Sequence, residues 1–387
     1  MRVSNVFFHL FAIVFFIFAI LFISFQNYGM TGEEGGSRFW LMRVTLLLDV
    51  VCLIMCFLRL NRNYSGIHLV CILWLLIMPL VMFANNAPMA DTVRTILWPL
   101  LFEATYLSCR GAVYRGDFLK RMFFVLAIIG AVYFFMTRFG VAHQTNTIYF
   151  CFLTLPWMMY KADRRTMGIV VLAFTVLALM SLKRSTMLVM VLLWGFYFLN
   201  VMRSRRSQIY TIIFSLALVV GVYLAYDRID EYTGGVLTER VNKEETDEGK
   251  GREAIWQITT LMIQQSSPGK LITGHGHFGV RRDSFLEISA HNDFLEVIYD
   301  YGLIIFFLYL CLWGYVVRRA YKLYRIRSSI FLPYAASISI FLVMSMVSHL
   351  ILYTTYFNYL VMFWGFTEAY VESCHPELFT RKLLRSI

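Results

Sequence analysis

The chain has 387 residues, of which 59% are hydrophobic and only 15% are charged, and its net charge is +11. A soluble protein of this length needs more polar residues to cover its surface, so the composition predicts an integral membrane protein. The positive charge does not indicate nucleic acid, because the basic residues lie between apolar runs, as in the cytoplasmic loops of membrane proteins. The seven cysteines suggest neither a disulfide framework nor a thiolate metal site.

Stretches of about 16 to 23 mostly apolar residues, each long enough to cross the hydrocarbon core as a helix, recur along the chain. The first is followed by no clear small-residue cleavage site, so we interpret it as a retained helix rather than a secretory signal. The fold class predicted is an all-α polytopic membrane protein. Its twelve expected spans lie near residues 7–25, 40–58, 66–83, 91–108, 122–137, 145–160, 166–181, 185–202, 208–226, 303–317, 330–350 and 354–371.

The distribution of charge predicts the orientation of these spans. With the N-terminus in the cytoplasm, the inner segments are all basic and the opposite short loops carry few cations, as the positive-inside rule requires. Both termini then lie inside, and one large polar loop lies outside. We therefore expect spans one to nine in 1–226, an extracytoplasmic loop with short helices in 227–301, and spans ten to twelve with a cytoplasmic tail in 302–387.

Charged residues inside the predicted spans form a separate group. Arg43, Asp49, Arg94 and Glu103 are costly in lipid. We expect them to face the interior of the helix bundle and to form internal salt bridges there, with binding of a lipid carrier as the alternative.

Cations also occur where the topology disfavours them. Lys183 and Arg184 lie in a very short outer turn, and Arg252, Arg281 and Arg282 lie in the large outer loop. Positive charge on the outer side needs another explanation. For Arg184 the alternative is that its side chain reaches out to lipid headgroups.

The outer loop shows internal organisation. Apolar residues recur at helical spacing between Arg252 and Gln265, which predicts an amphipathic helix that packs on the membrane domain, with Arg252 at its start. The turn at 266–270 ends this helix, and a glycine-rich bend follows at Gly274–Gly279.

A second helix is expected after Ser289, running into the tenth span at Gly302. The spacing puts His291, Leu295 and Ile298 on one face, so that His291 points at the protein. Buried hydrogen bonding is the alternative role for this histidine. His275, His277 and His291 do not predict a metal site, because no cysteine and no obvious fourth ligand accompany them.

Four motifs occur in order and in a consistent topology. They are Lys183-Arg-Ser-Thr186, Gly251-Arg-x-x-x-Trp256, Pro268 with Gly274-x-Gly276, and Ala290-His-Asn292 followed by Tyr301-Gly-Leu303. Together they resemble the O-antigen ligase and O-antigen polymerase superfamily of bacterial inner-membrane glycosyltransferases. In the ligase-type pattern, His-Asn is followed after nine residues by Gly-x-x-Gly. Here Gly302 keeps the spacing, but Ile305 replaces the second glycine.

The resemblance implies a GT-C-like enzyme that transfers a saccharide from an undecaprenyl-diphosphate carrier on the periplasmic face, with inversion and with no metal or cofactor. It implies two arginines and one histidine as catalytic residues, which the motifs match to Arg184, Arg252 and His291. Guanidinium groups fork onto phosphate oxygens, and an imidazole can take the proton of the acceptor hydroxyl. The candidates for substrate binding are Lys183, Arg281, Arg282, Asn292, Gly274 and Gly276.

The expected partners are undecaprenyl-diphosphate-linked oligosaccharide and membrane lipid, with a chain-length regulator and a flippase of the same pathway as candidates. The missing second glycine and the 17% aromatic content favour a polymerase over a ligase that acts on lipid A core. A transporter or flippase is the main alternative from another class, although the single elaborated loop after the ninth span lacks the symmetry of such folds. A membrane acyltransferase and a scaffold are weaker alternatives.

Overall fold

The structure, a computed structural model, describes residues 4–28, 36–57, 65–138, 147–181, 183–201, 231, 250–285 and 287–378. Every regular element in these ranges is helical, in agreement with the predicted all-α class. The α-helices are α1 (Asn5–Tyr28), α2 (Gly36–Phe57), α3 (Gly66–Ala84), α4 (Met89–Cys109), α5 (Arg115–Arg138), α6 (Ile148–Phe152), α7 (Leu155–Met159), α8 (Arg164–Ser181), α9 (Arg184–Val201), α10 (Lys250–Gln265), α11 (Pro268–Thr273), α12 (Gly279–Asp283), α13 (Asp293–Arg325), α14 (Phe331–Val347) and α15 (Thr354–Cys374).

The protein is a multi-pass membrane protein by the length and composition of its helices. Six of the described helices are long and apolar enough to cross a bilayer, namely α1, α2, α3, α5, α8 and α13. Shorter apolar helices are α9, α14 and the pair α6–α7. Helices occupy each predicted span within the described ranges, whereas the predicted span 208–226 lies outside them. The total of twelve spans and their orientation stay predictions.

The prediction of one continuous helix over 145–160 is wrong. Two short helices, α6 and α7, lie there, with Leu153 and Thr154 between them. Pro156 stands in the first turn of α7 and has no backbone N–H to continue a preceding helix, which explains the break.

Helices α4 and α15 form the centre of the bundle. Gly365 on α15 allows close contact, because a Cβ atom there would lie 2.4 Å from the carbonyl oxygen of Phe102 on α4. Glu103 is buried at this centre, and its carboxylate hydrogen-bonds Nδ1 of His68 at 2.9 Å.

The predicted inward orientation of the other intramembrane charges is confirmed for Asp49, which is buried, but its predicted salt bridge is not, because its carboxyl oxygens have no hydrogen-bond partner among the described residues. The inward orientation is wrong for Arg43, which is exposed and lies over the ring of Trp40, 5.5 Å from the ring centroid. Arg94 is half-buried and pairs with Asp91 at 3.4 Å near the start of α4.

In the segment predicted as the outer loop, the described helices pack onto the first turns of α13. As predicted, an amphipathic helix, α10, precedes a glycine-rich bend, and α13 changes direction at Gly302, where the backbone leaves the helical region. The bend docks on this kink, since the N–H groups of His275 and Gly276 donate to the carbonyls of Tyr299 (2.9 Å) and Asp300 (2.8 Å). This docking fixes the residues on either side of the bend relative to the membrane helices.

Candidate active site

A cavity of about 320 Å³ lies where the ends of several helices meet. Lys183 from the α8–α9 turn, Arg252 from α10 and His291 from the segment before α13 share its wall, although they are far apart in sequence. The remaining lining residues are Tyr149, Val347, Ser348, His349, Tyr353 and Tyr356. Two cations and two imidazoles therefore face one space.

A hydrogen bond from Trp256 holds α10 against the His291 segment. The indole Nε1–H donates to the carbonyl oxygen of Ala290 at 2.9 Å, and Ala290 is buried. Arg252 stands four residues before Trp256, so both side chains project from the same face of α10. The bond thereby places the exposed guanidinium of Arg252 at the rim of the cavity.

Lys183 is held by the tight turn between α8 and α9. Its backbone N–H donates to the Ser181 hydroxyl oxygen at 3.2 Å, and its carbonyl accepts from the Thr186 hydroxyl at 2.7 Å. The ammonium group lies over the buried Tyr149 ring, 4.1 Å from the centroid. Arg184 is instead exposed at the first position of α9 and does not line the described cavity.

His291 lies outside the helix on which sequence spacing placed it. The predicted helix after Ser289 is present as α13, but it begins at Asp293, so the prediction that His291 lies on one of its faces is wrong. Asn292 is the N-cap, and its side-chain oxygen accepts from the N–H groups of Phe294 (3.0 Å) and Leu295 (3.3 Å). His291 itself has φ +54°, a left-handed conformation that is uncommon outside glycine.

Glu296 explains how His291 is kept in this conformation. The carboxylate is fully buried, and Oε1 accepts from the His291 backbone N–H at 3.0 Å. Such backbone conformations persist where surrounding contacts determine them, and they concentrate at functional sites.

His349 is a member of the site that the sequence motifs did not identify. Its ring centroid is 4.2 Å from that of His291, and its Nδ1 is 3.0 Å from Oε2 of Glu296. The residue lay within the predicted span 330–350, but α14 ends at Val347, which leaves His349 in the following loop. A histidine near the end of a mostly apolar run was its sequence signal.

Asp293 fixes the loop that carries His349. Its buried carboxylate accepts from the N–H groups of Leu350 (3.0 Å) and Ile351 (3.2 Å). The first turn of α13 thus supplies two carboxylates. Asp293 binds the backbone of the loop, and Glu296 binds the backbone N–H of His291 and the ring of His349.

Both imidazoles of the cavity favour the neutral form. Burial, the neighbouring His349, and the charges of Arg252 and Lys183 lower the pKa of His291 to about 4. Burial lowers the pKa of His349 to about 4 as well, with Asp293 opposing this shift and Lys183, Arg252 and Arg281 adding to it. Neutral imidazoles next to cations can accept protons, and the cations can bind an anion.

The other candidates for substrate binding do not line the cavity. Gly274 and Gly276 both have positive φ, and a Cβ atom on Gly274 would lie 2.2 Å from the carbonyl oxygen of Asp300. Arg282 pairs with Asp283 at 2.8 Å and donates to the carbonyl of His275 at 2.8 Å. Arg281 is exposed, and its charge acts on His349.

The three histidines considered for a metal site have separate surroundings. His275 stacks on Tyr299 with ring centroids 4.1 Å apart, and its Nε2 lies 3.0 Å from the Ser266 hydroxyl. His277 is buried and hydrogen-bonds the hydroxyl of Tyr301. Within the described ranges, no group of three or more His, Cys, Asp or Glu side chains is arranged to hold a metal ion.

A comparison with protein-family models matches residues 168–310 to the family described as O-antigen ligase. The match contains Lys183, Arg252 and His291, and it confirms the resemblance to the O-antigen ligase and polymerase superfamily. A search of curated proteins finds no match to the chain.

Proposed function

We propose that the chain is an O-antigen polymerase or a polymerase of a related surface polysaccharide, because residues 168–310 match the family described as O-antigen ligase. It transfers undecaprenyl-diphosphate-linked glycan onto another lipid-linked repeat unit, with inversion and without a metal. The observation that carries this proposal is the shared cavity of Lys183, Arg252 and His291, which offers two cations and an imidazole in one space of about 320 Å³.

The chemistry of the donor suits these residues. When the glycosidic bond breaks, negative charge grows on the diphosphate, and fixed cations stabilise it without any rearrangement. Arg252 can fork onto two phosphate oxygens, while Lys183 acts as a point charge. The resemblance gives Arg184 the same task from the neighbouring turn, and it gives His291 the removal of the acceptor's proton.

The proposed location rests on the distribution of basic residues between the apolar stretches. The enzyme lies in the bacterial inner membrane, with both termini in the cytoplasm and the cavity on the periplasmic side. Regions 1–226 and 302–387 hold the spans, and 227–301 forms the catalytic loop. A flippase that supplies the lipid-linked repeat and a chain-length regulator are the corresponding partners.

An O-antigen ligase is the second candidate, favoured by the description of the matching family. The two activities share the donor and differ in the acceptor, which is a lipid-linked repeat for the polymerase and lipid A core for the ligase. Ile305 in place of the second glycine of the ligase-type pattern favours the polymerase.

Deletion of the gene, followed by profiling of surface polysaccharide, distinguishes these candidates. A single repeat on lipid A core supports the polymerase, whereas bare core with polymer retained on its carrier supports the ligase. Turnover of lipid-linked donor by the purified protein alone separates both enzymes from a transporter, and its absence would contradict the proposal.

A further inference from the structure

The cavity contains two histidines, but only one has an orienting carboxylate on its ring. Nδ1 of His349 is 3.0 Å from Oε2 of the fully buried Glu296, whereas the His291 ring has no hydrogen-bond partner among the described residues. Glu296 contacts His291 only through its backbone N–H. A carboxylate on one ring nitrogen fixes the tautomer and leaves the other nitrogen as proton acceptor.

Charge also distinguishes the two rings. A proton on His291 would place an imidazolium near Arg252 and Lys183 with no carboxylate bonded to the ring. A proton on His349 would be shared with Glu296 through a charge-assisted hydrogen bond, which is stronger than a neutral one. The bonded carboxylate, and not the pKa, distinguishes His349, because the pKa of each ring is about 4. Burial raises the pKa of Glu296 well above its ordinary value, so His349 acts as a base in the state in which Glu296 is ionised.

We propose that His349, oriented by Glu296, is the catalytic residue that removes the proton of the acceptor hydroxyl, in place of His291, to which the resemblance gives this role, and that His291 packs beside it and positions the acceptor. This inference rests on the proposed glycosyl transfer. As the acceptor oxygen bonds to the anomeric carbon, its proton passes to Nε2 of His349. The bond from the anomeric carbon to the diphosphate oxygen breaks, its electron pair leaves with the diphosphate, and His349 later returns the proton to water.

Glu296→Gln tests the orientation of His349 with little change of shape. A glutamine oxygen can still accept from the His291 backbone N–H, but the amide NH₂ would face Nδ1 of His349 and would select the opposite tautomer, with the proton on Nε2. Such a ring cannot accept the acceptor's proton. We expect kcat to fall by about 100-fold or more, as for loss of a general base, while KM for the donor changes little.

Chemical rescue gives the decisive test. The probe is the lipid-linked repeat extracted from the source bacterium after deletion of this gene, and the readout is release of undecaprenyl diphosphate by the purified full chain. We expect His349→Ala to lose about 100-fold or more in kcat and to regain at least about tenfold with added imidazole, because the cavity has room for a free base. His291→Ala should lose activity and gain nothing from imidazole.

Two controls keep the test decisive. If His349→Ala is not monodisperse, His349→Gln retains a polar side chain that cannot take the proton, and the same loss in kcat is expected. A His349 variant within about threefold of wild type, or rescue by imidazole of His291→Ala alone, would overturn the assignment. Failure of the wild-type chain to release undecaprenyl diphosphate would instead contradict the proposed function.

Discussion

Arg252→Ala provides the sharpest test of how the donor is bound. The substitution removes one of the two cations in the cavity wall. It leaves in place Trp256, whose hydrogen bond to Ala290 holds α10. A hydrogen bond to a charged group contributes about 1.5–3 kcal/mol, which corresponds to about 10- to 150-fold in rate. Because the Arg252 side chain is exposed at the cavity rim, water screens its charge, and we expect the lower part of this range, about 10- to 30-fold in kcat/KM.

Arg252→Lys separates charge from geometry. Lysine keeps the positive charge but cannot form two parallel hydrogen bonds with phosphate, so we expect an intermediate loss of about 2- to 5-fold. The matched control is Arg325→Ala at the last residue of α13, where the guanidinium donates to the Tyr321 hydroxyl at 3.2 Å. This control removes an equal charge far along α13 from the cavity.

The assay is release of undecaprenyl diphosphate by purified protein with lipid-linked donor at concentrations below KM. Thermal unfolding of each variant confirms that the fold is retained. If Arg252→Ala stays within about twofold of wild type while the wild-type chain is active, the cation does not contact the donor diphosphate, and the reasoning from the cavity is refuted.

Two further predictions concern backbone geometry and pH. Gly302→Ala should lower the free energy of unfolding by about 1–3 kcal/mol, because this residue has φ +78° and an added Cβ atom would lie 2.2 Å from a carbonyl oxygen. Gly314→Ala in the same helix is the control, because an added Cβ atom there meets open space and should not lower stability. Thermal unfolding compares the two variants, and equal melting temperatures would contradict the packing argument. The acid side of kcat/KM should show two limbs: the higher one reports Glu296, which must be ionised and whose pKa burial raises well above its ordinary value, and the lower one, near pH about 4, reports His349, which must be neutral to act. Lys183→Met should move the lower limb to higher pH, because removing a nearby cation raises the pKa of His349. A lower limb that stays at the same pH in this variant would disagree with the geometry of the cavity.

Most of the helices could be predicted from the length of the apolar stretches, and helix α10 could be predicted from the helical spacing of its apolar residues. The start of α13 could not, because Ser289 and Asn292 are both residues that cap helices, and only the structure shows that Asn292 takes the cap. That shift of a few residues moves His291 off the helix and into a strained position, where its backbone rather than its ring bonds Glu296.

The sequence motifs missed His349 because its contacts join residues that are far apart in the chain. Glu296 and His349 are 53 residues apart, so no local pattern could have paired them. The turn between α8 and α9 poses a related problem. Adjacent residues at a helix start point in different directions, and here Lys183 lines the cavity whereas Arg184 does not. Neighbouring cations in a sequence motif are therefore not interchangeable.

A cryo-EM structure of the full chain with a bound undecaprenyl-diphosphate-linked saccharide tests the central claim most directly. We expect diphosphate density in the cavity, within hydrogen-bond distance of the Lys183 ammonium and the Arg252 guanidinium, and the anomeric carbon on the side of His291 and His349. Diphosphate density outside this cavity, with these four side chains contacting only protein or water, would contradict it.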